Sequence, residues 1–100
     1  MIKHIVMWRL QDFAEGASKN ENAEKIKKMY ADIKDLIPEV LHLEIGINAF
    51  DSPAAYDIVL YSEFESFADL ENYRKHPEHK KRKDFTLKVI SDRVVVDYER

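Results

Sequence analysis

The chain has 100 residues, 45% of them hydrophobic and 35% charged, enough for one packed core and too apolar for a disordered segment. Nineteen acids against 16 bases give a formal charge of -3, so binding to nucleic acid would require a local patch, and the lack of cysteine removes disulfides, thiolate metal sites and cysteine nucleophiles. No apolar run approaches the ~20 residues of a membrane span, and the opening MIKHIVMWRL carries a histidine and an arginine inside its apolar stretch, unlike a secretory signal. These features predict a single domain over residues 1–100, soluble and cytoplasmic, with no membrane or nucleic-acid partner.

Residues Ile2 to Leu10 alternate strictly, with Ile2, His4, Val6, Trp8 and Leu10 on one side and Lys3, Ile5, Met7 and Arg9 on the other, as in a strand with two different faces. After a polar loop, Ser18 and Glu21 stand at capping-box spacing. Ala23, Ile26, Met29, Tyr30, Ile33, Leu36 and Ile37 then step by threes and fours, which predicts one long amphipathic helix stopped at Pro38. Val40 to Ile47 and Tyr56 to Phe64 read as a strand pair joined through the turn-forming FDSPA segment. Ser66 caps a short helix with the stripe Phe67, Leu70 and Tyr73, ending before Pro77. A further helical stretch leads to a final strand, Arg93 to Tyr98.

The order strand, helix, strand, strand, helix, strand is that of an α+β, ferredoxin-like split βαβ fold with a four-stranded antiparallel sheet. Helices cover one sheet face in such a fold. The other face is expected to present Ile5, Met7, Ile58, Leu60, Val94 and Val96, too apolar for open water. At ~25 cal/mol per Å², covering several hundred Å² contributes on the order of 10 kcal/mol before association costs. A homodimer with face-to-face sheets is therefore expected.

Histidines and tyrosines are the available acid-base groups. His4 on its strand reads either as a hydrogen-bonded core histidine or as a site residue. The HPEH segment, His76 to His79, lacks i,i+4 spacing and a third ligand, so it fits a helix end better than a metal site. Tyr30 and Tyr73 occupy core stripes, yet if the helices cover the His4 face, His4, Tyr30, Tyr73 and His79 converge on one space, to which Asp57 offers a carboxylate. The run Arg74 to Lys83 holds six bases and one acid without interleaved aromatics, and reads as a solvated helix face. No metal or cofactor is implied.

Over nearly its whole length the chain resembles the stress-responsive A/B barrel (Dabb) family of dimeric α+β barrels, through MIKHIV, YADIKDLIPEV, LEIG, FESFADLENYRKHPEH and VVVDY in that order. The resemblance implies a homodimer. It is also distantly similar to a plant polyketide cyclase of that family, whose pattern is matched at His4, Tyr30, Tyr73 and His79. By that likeness His79 and Tyr73 are the catalytic pair, with His79 removing an acidic proton between carbonyls and Tyr73 hydrogen-bonding to it or to the enolate. His4, Tyr30 and Asp57 would line the ligand site. Asp57 replaces a histidine of the cyclase, and Lys34, Lys81 and Arg82 suit a long apolar polyketide poorly. Two other readings stand beside this one: a non-catalytic, stress-associated structural dimer and a cofactor-free monooxygenase.

Overall fold

A computed structural model describes residues 1–100. Strand β1 (Ile2–Leu10) leads to a two-residue-strand hairpin, β2 (Phe13–Ala14) and β3 (Ala17–Ser18), then helices α1 (Lys19–Tyr30) and α2 (Ile33–Leu36). Strands β4 (His42–Ile47) and β5 (Ile58–Phe64), helices α3 (Phe67–Lys75) and α4 (Pro77–Val89), and strand β6 (Ile90–Glu99) complete the chain. The main sheet is antiparallel in the order β4-β5-β1-β6, the ferredoxin-like α+β arrangement.

Three local features depart from the sequence expectation. The loop before α1 contains the β2–β3 hairpin, turned by Glu15 and Gly16 at φ 50 and 74, the positive angles of a tight primed turn. Its fold-back is tied to α1 by buried Asn22, whose Nδ2 donates to the Ala14 carbonyl at 3.0 Å. The expected long helix is instead two, α1 and α2. In a continuous helix the Met29 carbonyl accepts from the Ile33 amide. Here it accepts from Arg82 Nε of α4 at 2.5 Å, while Arg82 Nη2 reaches Asp32 at 3.0 Å, and the helical run breaks at Asp32 before resuming as α2. The last strand starts at Ile90 rather than Arg93, with a register shift against Arg9 and Leu10.

The capping box at Ser18 and Glu21 forms as spaced, and Ser66 caps α3 through the Asp69 amide. Pro77 occupies the first turn of α4, where its missing N–H costs nothing, and His76 Nδ1 accepts from the Glu78 amide as the N-cap. Thus His76 is a capping residue.

The buried face of the sheet carries Ile2, His4, Val6, Trp8 and Leu10 from β1, packed under Ala23, Ile26, Tyr30, Ile33, Leu70, Tyr73 and Val89. Strand pairing corrects the expected opposite face. Val6 faces Leu60 and Trp8 faces Ile58 across β1–β5, so Ile58 and Leu60 belong to the core, each 2% exposed. The open face is instead built from Ile5 opposite Tyr61 and Val96, and Met7 opposite Val59 and Val94. Alternation alone leaves the phase of β5 undefined, because both of its residue sets are apolar.

The open face has an apolar middle and polar ends. At one end Lys3 pairs with Glu63 at 2.5 Å, and Tyr61 donates to the same carboxylate at 2.6 Å. At the other the Arg9 guanidinium lies over the Tyr56 ring, whose hydroxyl donates to Asp92 at 2.7 Å. Between them Met7, Val94 and Val96 are exposed.

Candidate functional site

The helices pack chiefly over β4, β5 and β1 and leave much of edge strand β6 open. On the helix side Arg93 and Val95, partners of Trp8 and Val6, consequently stay exposed. A pocket of about 340 Å³ opens along this uncovered edge. Its buried walls are Val6, Trp8 and Leu60 from the sheet, Tyr30 from α1 and Thr86 from α4. Half-buried His79 and Arg74 line it further, and Lys83, Leu87 and Arg93 stand exposed at its rim.

His79 lies in the first turn of α4, set there by the Pro77 start. Its Nδ1 is 3.1 Å from the Arg74 carbonyl, which can only accept, so Nδ1 bears the proton and Nε2 keeps its lone pair in the neutral ring. Burial pushes the His79 pKa down to about 4, and the charges of Lys83 and Arg74 and the nearby His4 ring act in the same direction against the opposing backbone hydrogen bond. The ring is neutral at pH 7. The charges that act are those of Lys83 and Arg74, not of the adjoining Lys80, Lys81 and Arg82.

The Tyr73 ring lies tilted against His79, at 53° with ring centroids 4.5 Å apart, and packs on His4 and Phe64 at 6.4 and 5.2 Å. Its hydroxyl is buried and has no hydrogen-bond partner, so the expected Tyr73–His79 hydrogen bond is absent and the contact is ring to ring. Burial raises the Tyr73 pKa strongly, and Tyr30, tilted against Trp8 at 6.2 Å, is likewise pushed up to about 12 by burial. Both phenols stay protonated.

His4 lies behind Tyr73, 3% exposed and on the helix side of the sheet. Its Nδ1–H donates to Asp97, the residue opposite it on β6, and burial outweighs that bond to lower the His4 pKa. Asp97 also accepts from Arg74 Nη2 at 3.0 Å, so one carboxylate fixes both the histidine and a pocket cation. Asp97, Arg74, Lys83 and Arg93 were absent from the expected site. For Arg93 and Asp97 the sequence signal was the alternation of β6, where 93, 95 and 97 share a face, but that face could be matched to His4 only through the β1–β6 register, while Arg74 and Lys83 come from α3 and α4.

The structure thus brings His4, Tyr30, Tyr73 and His79 to one side of the sheet. Asp57 stands elsewhere, its Oδ2 accepting from the Leu10 amide at 2.7 Å and approaching Lys19 Nζ at 3.7 Å. Leu10 is six residue steps along the strand from His4, about 20 Å of extended chain, so this carboxylate does not join the group. The reason is local: Asp57 precedes β5 and bridges the far end of β1. The basic run is not uniformly solvated either, since Arg74 and Arg82 are half-buried and ion-paired whereas Lys75, Lys80 and Lys81 are exposed. Lys81 and Arg82 border a separate surface hollow beside Met29 and Asp32. No helix is long and apolar enough to cross a membrane.

The chain belongs to the stress-responsive A/B barrel domain (Dabb) family, whose model matches residues 2–100. It is 30% identical over 102 residues to a stress-response A/B barrel domain-containing protein of Arabidopsis thaliana, covering 98% of this chain and 36% of that protein. The chain therefore spans about a third of the length of that curated relative. A dimeric protein of unknown function and ferredoxin-like fold from Bacteroides fragilis is 27% identical, with a TM-score of 0.84 over 99% of this chain and 95% of its own. Hydroxynitrile lyase from Passiflora edulis is similar in fold, with a TM-score of 0.79 and 21% identity over 97% of this chain and 90% of the lyase.

Proposed function

We propose that residues 1–100 form one homodimeric domain that binds a small carbonyl compound between helices and sheet, with His79 as its acid-base group. The observation that carries this reading is a neutral imidazole whose Nε2 lone pair is left free beside a pocket of about 340 Å³. In the reaction considered, a C–H bond next to a carbonyl breaks and its electron pair forms the enolate. The proton passes to His79 Nε2. Protonated Tyr30 lines the same pocket and offers a donor to the carbonyl oxygen. Tyr73 and His4 act from behind by packing the His79 ring in place.

The homodimer is supported by the dimeric Bacteroides fragilis relative and by the apolar middle of the open sheet face. That face lies opposite the pocket, so dimerisation leaves His79 accessible through the helix-side edge. A purely structural dimer is the competing reading, favoured by the deep burial of His4 and Tyr73.

Proton-deuterium exchange at the carbon next to the carbonyl of a panel of ketones and oxo acids tests the proposal. Exchange by the wild type that His79→Ala abolishes at unchanged melting temperature and dimer mass is the expected result. Melting-temperature loss in the variant with no exchange by the wild type would make His79 structural. Consumption of dioxygen by the same panel would instead indicate a cofactor-free monooxygenase.

A further inference from the structure

The His79 pocket has a polarity that its proposed acid-base role does not require. Its floor is apolar and aromatic, formed by buried Val6, Trp8, Tyr30 and Leu60, while its rim carries the cations Lys83 and Arg93. Arg74, the third cation of the wall, is held by Glu71 at 2.8 Å and Asp97 at 3.0 Å. Lys83 and Arg93 pair with no carboxylate, and no acid lines the pocket. Three cations thus converge on one opening of a chain whose net charge is -3. Two like charges at a low-dielectric opening repel each other and focus field lines on an incoming anion.

We infer that the pocket selects a carboxylate-bearing ligand with an apolar or aromatic body, the body on the Trp8–Tyr30–Leu60 floor and the carboxylate between Lys83 and Arg93. Arg93 supplies the planar fork that matches a carboxylate, and Lys83 a mobile second charge. This inference rests on the carbonyl-binding reading above and narrows it to oxo acids. It also removes an obstacle in that reading. Burial, with the charges of Lys83 and Arg74, opposes formation of the His79 imidazolium, and a ligand carboxylate beside Lys83 offsets the charge part of that opposition during proton transfer.

The test uses the wild-type protein and three probes, phenylpyruvate, its methyl ester and inorganic phosphate, followed by amide and imidazole chemical-shift perturbation. Phenylpyruvate should shift His79 and Trp8 signals and bind at least on the order of tenfold more tightly than the ester. Lys83→Ala/Arg93→Ala, both exposed positions, should weaken phenylpyruvate about tenfold or more and leave ester binding unchanged. Equal binding of acid and ester would overturn the anion preference while leaving the carbonyl pocket standing. Phosphate binding as tightly as phenylpyruvate would also overturn it, since the apolar floor would then contribute nothing. Absence of any shift at His79 with all three probes would overturn this inference and the pocket reading together. Loss of deuterium exchange in His79→Ala with phenylpyruvate binding retained separates the base from the binding site.

Discussion

The Tyr73 ring lies tilted against the His79 imidazole, centroids 4.5 Å apart, while its own hydroxyl, sealed in the core, has no hydrogen-bond partner. Tyr73 therefore holds the histidine by ring contact, and its oxygen is a cost to the folded state. An unsatisfied buried hydroxyl costs about 1–3 kcal/mol. Tyr73→Phe should melt at the same temperature as the wild type or higher. If the variant also keeps its ligand affinity and turnover, the hydroxyl takes no part in the chemistry; a selective loss of turnover at unchanged stability would give it a role on the ligand.

The depressed pKa of His79 makes stability depend on pH. Below the ordinary histidine value near 6.5 and above about 4, the unfolded chain binds a proton at this position that the folded one refuses. Stability from this group is full above pH 6.5 and is lost as pH falls toward 4. The lowered pKa of His4 adds in the same direction. After discounting for the solvent contact of the half-buried ring, the His79 contribution is about 2 kcal/mol. Urea unfolding at pH 7 and pH 4.5 should show this loss in the wild type and a smaller one in His79→Asn.

The strand register separates two neighbouring positions. Val59 lies on the open face opposite Met7, and Leu60 is 2% exposed in the core opposite Val6. Val59→Lys should give a folded monomer in sedimentation, with the far-ultraviolet spectrum unchanged. Leu60→Ala should instead destabilise each chain by roughly 2–5 kcal/mol through lost burial and a cavity. A dimeric Val59→Lys variant would remove the open face from the interface.

Arg82 joins α4 to the break between α1 and α2 through Met29 and Asp32, and its side chain is 11% exposed. Arg82→Ala leaves the Met29 carbonyl without that donor. A loss of about 1–3 kcal/mol is expected, with hydrogen exchange accelerating at residues 29 to 33 ahead of the sheet. Unchanged exchange there would mean that the α1–α2 break does not depend on Arg82.

Alternation in β1, the capping box at Ser18 and the Pro77 helix start are encoded within a few residues, because strand faces and helix caps are set by local periodicity and local hydrogen bonds. They suffice for the element order and the α+β fold, and for placing His4, Tyr30 and Tyr73 in helix-facing stripes. Tertiary structure decided the rest. The phase of β5 came from its pairing with β1, since Ile58, Val59 and Leu60 are apolar on both faces. At the α1–α2 break the Met29 carbonyl is met by Arg82, 53 residues further along the chain. The pocket came from α3 and α4 packing beside β6 at the sheet edge, which brings Arg74 and Lys83 to Arg93, and where Asp97 meets His4 across 93 residues of sequence. Such contacts depend on long-range register, which local spacing does not carry.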